Sequence, residues 1–236
     1  MEIIKHEDEI FHITDVVTKD EAEKVIQYLE FLSDSNNLKW NQISFYDSYA
    51  MGFWNTDPTL LNFGLPADYF LQLKLKIKKL CEQVLERDLD EVSYHAQKWI
   101  EGAFASFHSD NTDADGNSTA FERSKYAAFM YLNEDFTGGI LNFRDYDISI
   151  TPKIGMLAVF SGGQGHEHEV TKVKSGTRYT IGSFWDNAGI VYTEEQKAIR
   201  AEELAKIRKD QEESYKVWAE NKEKGITPDY LGKNGE

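Results

Sequence analysis

Residues 99–111 read WIEGAFASFHSDN and run directly into the polar stretch TDADGNS, residues 112–118. An aromatic-rich segment thus ends on an imidazole and a carboxylate two positions apart, His108 and Asp110. In an extended strand, residues i and i+2 project from one face, so a β reading of this segment aims both side chains at one point. A point reached by one imidazole and one carboxylate invites a metal ion. A third ligand must then come from elsewhere in the chain.

The surrounding sequence supports the β reading. From about Val92 to Trp185 the chain breaks into SYHAQKW, AFASFHSD, YAAFMYLN, GGILNF, DISITP, GMLAVFSG and TRYTIGSFW, short segments rich in β-branched and aromatic residues and separated by Gly, Asn, Asp or Pro. Short strands at such regular spacing predict a sandwich or barrel. The N-terminal third differs in kind. IFHITDVV, residues 10–17, reads as a strand, and Thr18 with Glu21 makes a capping box ahead of Ala22, Val25, Ile26 and Leu29 at helical spacing. A second helix is predicted from Pro66 near its first turn and from Phe70, Leu73, Ile77, Leu80 and Val84, with a lysine-rich polar face turned to solvent. These helices are expected to brace one outer face of a double-sheet β core.

After Trp185 the composition shifts to interleaved Glu, Lys and Arg. Thr193 and Gln196 form another capping box, and Ile199, Leu204, Ile207, Tyr215 and Trp218 supply a thin apolar stripe, as in a solvated helix packed loosely on the domain. The expected organisation is one domain over residues 1–190, with helical support over about 1–90 and a β core over about 91–187, followed by a charged helical extension over 191–236. No internal repeat is visible.

The 236 residues, 41% of them hydrophobic, suffice for one sizeable core. A formal net charge of −15 argues against a nucleic-acid partner, because phosphate backbones are met by basic patches. The single cysteine, Cys81, falls within helical periodicity and excludes a disulfide framework; a buried, inert thiol is expected. The first residues, MEIIKHEDEIFHI, are charged and lack an uninterrupted apolar run, which argues against a signal peptide or membrane span and for a cytoplasmic protein.

The third ligand is sought in HEHEVTKVKSGTRYTIGSFW, residues 166–185. His166 and His168 both qualify, since residues two apart share a face in an extended segment. Two histidines and one carboxylate leave three positions open on an octahedral ferrous ion, enough for a bidentate organic cosubstrate and dioxygen. Arg178, ten residues beyond His168, would hold a carboxylate at the far end of that cosubstrate through a charge-assisted fork. That describes 2-oxoglutarate.

Four features in order now resemble the prolyl 4-hydroxylase-like branch of the iron(II)- and 2-oxoglutarate-dependent dioxygenases. HSD matches the family's His-x-Asp, YLN its strand and hairpin, GGIL its Gly-Gly turn, and HEVTKVKSGTRY its distal-histidine segment with Gly-x-Arg. The likeness is close over about residues 92–185. It implies a double-stranded β-helix (a jelly roll, cupin-like), an α+β fold that is mainly β. It further implies His108, Asp110 and His168 as iron ligands, Arg178 as the partner of the C5 carboxylate of 2-oxoglutarate, and Tyr131 as a hydroxyl added to that carboxylate. His168 rather than His166 stands at the family's place before Glu-Val. His166 is then a loop residue at the mouth, and His6, His12 and His95 are structural.

Three positions depart from the family's pattern. Trp99 occupies the place of the tyrosine that commonly opens Tyr-x-x-Gly, so a hydroxyl contact is lost and an indole N–H is the nearest replacement. Ile140 follows Gly-Gly where glutamate is common, and the anion-binding residue is arginine rather than the lysine of collagen-type enzymes. The resemblance implies Fe(II), with 2-oxoglutarate and O2 as cosubstrates and ascorbate as a further candidate. The implied activity is hydroxylation of an unactivated C–H bond, most simply of a prolyl residue in a peptide or protein, giving succinate and CO2. A free amino acid or other small metabolite is the alternative substrate, and a non-catalytic metal-binding β-helix protein the alternative of another class. The polar loop NTDADGNSTAFERS, residues 111–124, is a candidate to close over the substrate.

Overall fold

The structure is a computed structural model and describes residues 1–35, 38–43, 48–113, 115–206 and 209. In chain order the elements are β1 (Ile3–Glu7), β2 (Ile10–Ile13), α1 (Lys19–Asp34), β3 (Asn41–Ile43), β4 (Ser48–Met51), a 3-10 turn (Pro58–Phe63), α2 (Tyr69–Leu85), β5 (Leu89–Trp99), β6 (Ala105–His108), β7 (Tyr126–Tyr131), β8 (Leu141–Phe143), β9 (Ile148–Ile150), β10 (Leu157–Ser161), β11 (His168–Val170) and β12 (Arg178–Asn187). Eight strands form one sheet in the order β1-β2-β10-β7-β12-β5-β4-β3, and four form a second in the order β6-β11-β8-β9. Every pairing is antiparallel. Together the sheets make the double-stranded β-helix expected from the sequence.

The alternation of side chains splits the interior into two apolar layers. On β7, Tyr126, Ala128 and Met130 face the helices, while Ala127 and Tyr131 face the smaller sheet. The helix-side layer joins the eight-stranded sheet to α1, through Val25, Tyr28 and Leu29, and to α2, through Phe70, Leu73 and Ile77. The helices therefore brace one outer face of the large sheet. The second layer lies between the sheets and includes Leu141, Phe143, Phe160 and Val170.

Helix α1 starts where the capping box places it: Glu21 N–H donates to Thr18 Oγ1 (3.2 Å) and Thr18 N–H to Glu21 Oε2 (2.8 Å). Pro66 does not open α2. Its carbonyl accepts from Tyr69 N–H (3.0 Å), so it shapes the turn before the helix, whose N-cap is Asp68. Part of the lysine-rich face of α2 is engaged rather than solvated: Lys74 pairs with Glu91 at 2.8 Å, and Lys76 Nζ donates to Val16 O. Cys81 is fully buried, and burial pushes its thiol pKa up, as expected of an inert side chain. Gly155 (φ +76°) is needed where the turn before β10 presses on the chain leaving β2, since a Cβ there would lie 2.2 Å from Val17 O.

A helix over residues 194–206 follows β12, with the anticipated capping box: Gln196 N–H donates to Thr193 Oγ1 (3.2 Å) and Thr193 N–H to Gln196 Oε1 (2.9 Å). Ile207, Tyr215 and Trp218 lie outside the described residues. Among the described residues no helix is long and apolar enough to cross a membrane.

Replacing Thr18 with alanine removes one half of the α1 box on the exposed side of the helix layer. Thr18→Ala is expected to lower the unfolding free energy by about 1 kcal/mol in urea titrations. The m value should be unchanged.

Candidate metal and anion site

The site begins with a strand register. β11 pairs with β6 so that His168 lies opposite His108, and their rings come to 4.5 Å between centroids. Each ring is turned by its own backbone. His108 Nδ1 lies 2.8 Å from Ser106 O, and His168 Nδ1 lies 3.1 Å from His166 O. A carbonyl only accepts, so both Nδ1 atoms carry the proton and both Nε2 atoms are left as lone-pair donors. Holding one ring nitrogen in this way is how a ligating histidine is oriented.

Asp110 completes the group. Its Oδ1 is 3.7 Å from His108 Nε2 and 3.8 Å from His168 Nε2, and the three ligand atoms lie within 4.8 Å of one another. Its backbone N–H donates to Gly162 O at 2.8 Å, which seats the residue against the end of β10. Gly162 has to lack a Cβ, because one would stand 2.7 Å from Asp110 Oδ2 and 2.8 Å from Ser124 O. Asp110 Oδ2 is buried and has no hydrogen-bond partner. Burial raises the Asp110 pKa to about 6, with His108 pulling the other way. Burial also lowers His168 to about 4 and moves His108 down, so both imidazoles are neutral near pH 7, the form in which histidine ligates a metal.

Arg178 lies at the other end of the same narrow cavity, which Gln97, Trp99, Phe129, Tyr131, Leu141 and Phe184 also line. It is 2% exposed, yet Nε and Nη1 have no partner; Nη2 donates to Tyr131 Oη at 3.4 Å. Buried cationic donors left unsatisfied in an apolar cavity call for an anion. The unpartnered carboxylate oxygen, converging with the two imidazole Nε2 atoms, calls likewise for a cation. The residues present thus fit a 2-His-1-carboxylate metal together with an organic acid.

The structure brings together all five residues singled out in the sequence: His108, Asp110, His168, Tyr131 and Arg178. His166 is not among them, because its Nε2 meets Asp8 O at 3.1 Å and its ring packs toward Tyr146. His6 and His12 contact each other at 2.6 Å on the β1–β2 hairpin. The Trp99 indole N–H does not replace the missing tyrosine hydroxyl, for it donates to Gln97 Oε1 at 3.1 Å. The polar loop is folded. Asp113 Oδ1 accepts from the backbones of Asp115 (3.0 Å) and Asn117 (2.9 Å), Asn111 Nδ2 donates to Ser124 O (3.1 Å), and Arg123 Nε donates to the buried Asp186 (3.1 Å). Gln97, Gly162 and Asp186 were missed by the sequence reading. None of these left a trace, since β5 (LDEVSYHAQKW) carries several other polar residues beside Gln97.

Residues 94–186 match the family model of the 2OG-Fe(II) oxygenase superfamily. Human prolyl 3-hydroxylase 2 is 34% identical over 102 residues, which are 41% of this chain and 14% of that protein. Chicken prolyl 3-hydroxylase 1 is 30% identical over 93 residues. The chain therefore spans about one seventh of the curated relatives it matches. A prolyl-4-hydroxylase from Pseudomonas putida aligns with a TM-score of 0.52 at 20% identity, covering 77% of this chain and 94% of its own. A Trichoplax adhaerens prolyl hydroxylase, solved with a peptide fragment of the hypoxia inducible factor oxygen degradation domain, aligns with a TM-score of 0.55 at 15% identity, covering 81% and 87%. These two likenesses concern the fold.

The raised pKa of Asp110 has a signed consequence for the metal-free protein. Folding binds a proton at Asp110 between its ordinary value near 4 and about 6, so the carboxylate destabilises the fold fully above pH 6 and not below about pH 4. Asp110→Asn, measured by urea unfolding with a chelator present, should therefore be more stable than wild type at pH 8, by on the order of 2 kcal/mol. The difference should shrink toward pH 4.

Proposed function

We infer that this chain, whose residues 94–186 form a prolyl hydroxylase-like domain of the 2OG-Fe(II) oxygenase superfamily, hydroxylates an unactivated C–H bond on the ring of a prolyl residue in a peptide, consuming 2-oxoglutarate and O2. One observation carries the reading: a single buried cavity presents three convergent metal-ligand atoms at one end and an unsatisfied guanidinium at the other. A purely structural site would not maintain both at the cost of desolvating them.

In this reading His108 Nε2, His168 Nε2 and an Asp110 oxygen hold Fe(II), while Arg178 and the Tyr131 hydroxyl take the C5 carboxylate of 2-oxoglutarate. When bound, iron and 2-oxoglutarate supply the oxidising power for C–H cleavage, which no side chain possesses, with succinate and CO2 as coproducts. The chain's own work is placement. Carbonyls of Ser106 and His166 fix the two imidazoles, Gly162 gives the carboxylate room, and Phe129, Leu141, Val170 and Phe184 keep water from the reacting carbon. The prolyl substrate is supported by the names of the relatives, 3-hydroxylases by sequence and 4-hydroxylases by fold.

The test is an anaerobic titration of Fe(II) and then 2-oxoglutarate, read from the metal-to-ligand charge-transfer band. A screen of proline-containing peptides follows, with mass spectrometry and NMR assigning the hydroxylated carbon. Asp110→Ala and His168→Ala should lose metal binding and peptide-dependent succinate formation, whereas His166→Ala should keep most activity. Arg178→Ala should still bind iron and lose 2-oxoglutarate affinity by roughly 2–5 kcal/mol, as when one partner of a buried charge pair is truncated. Hydroxylation confined to free amino acids would sink the peptide assignment, and iron binding unaffected by Asp110→Ala would sink the metal assignment.

A further inference from the structure

We propose that Gln97 and Trp99 are positioning residues of the anion site: Gln97 anchors the indole of Trp99 so that its face, not its N–H, supports the guanidinium of Arg178. The proposal rests on the assignment of Arg178 to the 2-oxoglutarate carboxylate given above.

The β ladder makes the arrangement. Arg178 pairs with Trp99 and Thr180 with Gln97 across β12 and β5, so all four side chains stand on one face of the large sheet. The Arg178 guanidinium carbon lies 5.2 Å from the Trp99 ring and 4.9 Å from the Tyr131 ring. Two aromatic faces thus bracket a desolvated cation, an arrangement that favours it electrostatically and fixes its plane. Gly139 borders the same stem, since a Cβ there would meet Arg178 Cδ at 3.0 Å.

The orientation of Gln97 follows from donor and acceptor logic. An indole N–H only donates, so the Gln97 atom 3.1 Å from Trp99 Nε1 must be the carbonyl oxygen, which also lies 3.5 Å from Thr180 Oγ1. The Gln97 NH2 then faces His95 Nε2 at 3.1 Å, where it needs an unprotonated nitrogen. Burial lowers His95 to about 4 and keeps it neutral. Gly182 borders the same pocket, where a Cβ would press on the Phe129 ring at 3.0 Å and make only ordinary contact with Gln97 Nε2. With its N–H consumed by Gln97, Trp99 presents its π face to the cation and cannot rotate without breaking that bond. The tyrosine of the family pattern is thus exchanged for a tryptophan with its own anchor.

The experiment is calorimetric titration of 2-oxoglutarate into the Mn(II)-loaded full chain, with thermal melts establishing that each variant is folded. Wild type should bind, and Arg178→Ala should not. Trp99→Phe keeps a face without the N–H and should stay within about threefold of wild type, whereas Trp99→Leu and Gln97→Leu should each weaken binding about tenfold. In the Trp99→Phe background the same Gln97→Leu change should cost nothing further, because there is no indole N–H left to hold. Wild-type affinity in folded Gln97→Leu, or an equal tenfold loss on the Trp99→Phe background, overturns the proposal. If Gln97→Leu does not fold, Gln97→Met takes its place with the same expectations. Absence of 2-oxoglutarate binding by wild type overturns the reading of the site, and this proposal with it.

Discussion

A carboxylate and a guanidinium are buried in one narrow space between two sheets, and neither neutralises the other. Asp110 is flanked by His108 and His168, Arg178 by the rings of Trp99 and Tyr131. Desolvating such groups without full partners works against folding, so stability has to come from elsewhere. It comes from the layer on the other side of the large sheet, where α1, α2 and the outward residues of β5, β7, β10 and β12 are apolar and closely packed. The division of labour follows from strand alternation: one face of each central strand stabilises, and the other carries chemistry.

The loop after Asp110 is held by the same economy of contacts. Its start is tied through Asn111 to Ser124 O, and its end through Arg123 to Asp186, a carboxylate 1% exposed at the far end of β12. Asp186 also accepts from the Tyr192 hydroxyl at 2.6 Å, immediately before the helix over 194–206. One buried carboxylate therefore fastens the site loop and the root of the charged extension to the large sheet. Tyr192 thus ties down the segment that leads into the helix.

Much of this was legible in the sequence because the relevant signals are local. Eight of the strands announce themselves by β-branched and aromatic runs, seven of them between turn residues, and both capping boxes are four-residue patterns. The candidate site left a trace because His-x-Asp and Gly-x-Arg are short patterns, although each only touches a strand: His108 ends β6 with Asp110 just beyond it, and Arg178 opens β12. The rest depends on contacts through space. Strands β3 and β4 are short members at the edge of the large sheet and carry no clear alternation. Spacing alone could not choose between His166 and His168; the register of β11 on β6 does, by turning His168 inward and leaving His166 at Asp8 O. Nothing in the sequence marks Gly162, and only the positions of Asp110 Oδ2 and Ser124 O show why a Cβ is excluded there. Trp99 likewise looked like a lost hydroxyl until the Gln97 oxygen accounted for its N–H.

The two ends of the cavity belong to different sheets. The candidate metal-ligand atoms come from β6, the residues just after it and β11, in or beside the four-stranded sheet, while Arg178, Tyr131 and Trp99 come from β12, β7 and β5 of the eight-stranded one. The span that a dicarboxylate would have to bridge under the proposed function is therefore governed by the separation of the sheets and by whatever wedges them apart. That wedge is aromatic: Phe160 of the large sheet meets His168 at 4.5 Å between ring centroids and Phe143 at 5.3 Å, and Phe143 meets His168 at 6.0 Å. Close-packed rings resist compression far better than a loop would. Under the proposed function, the length of acid that would fit between the two ends would thus be set in part by core packing, by the rings of Phe143 and Phe160.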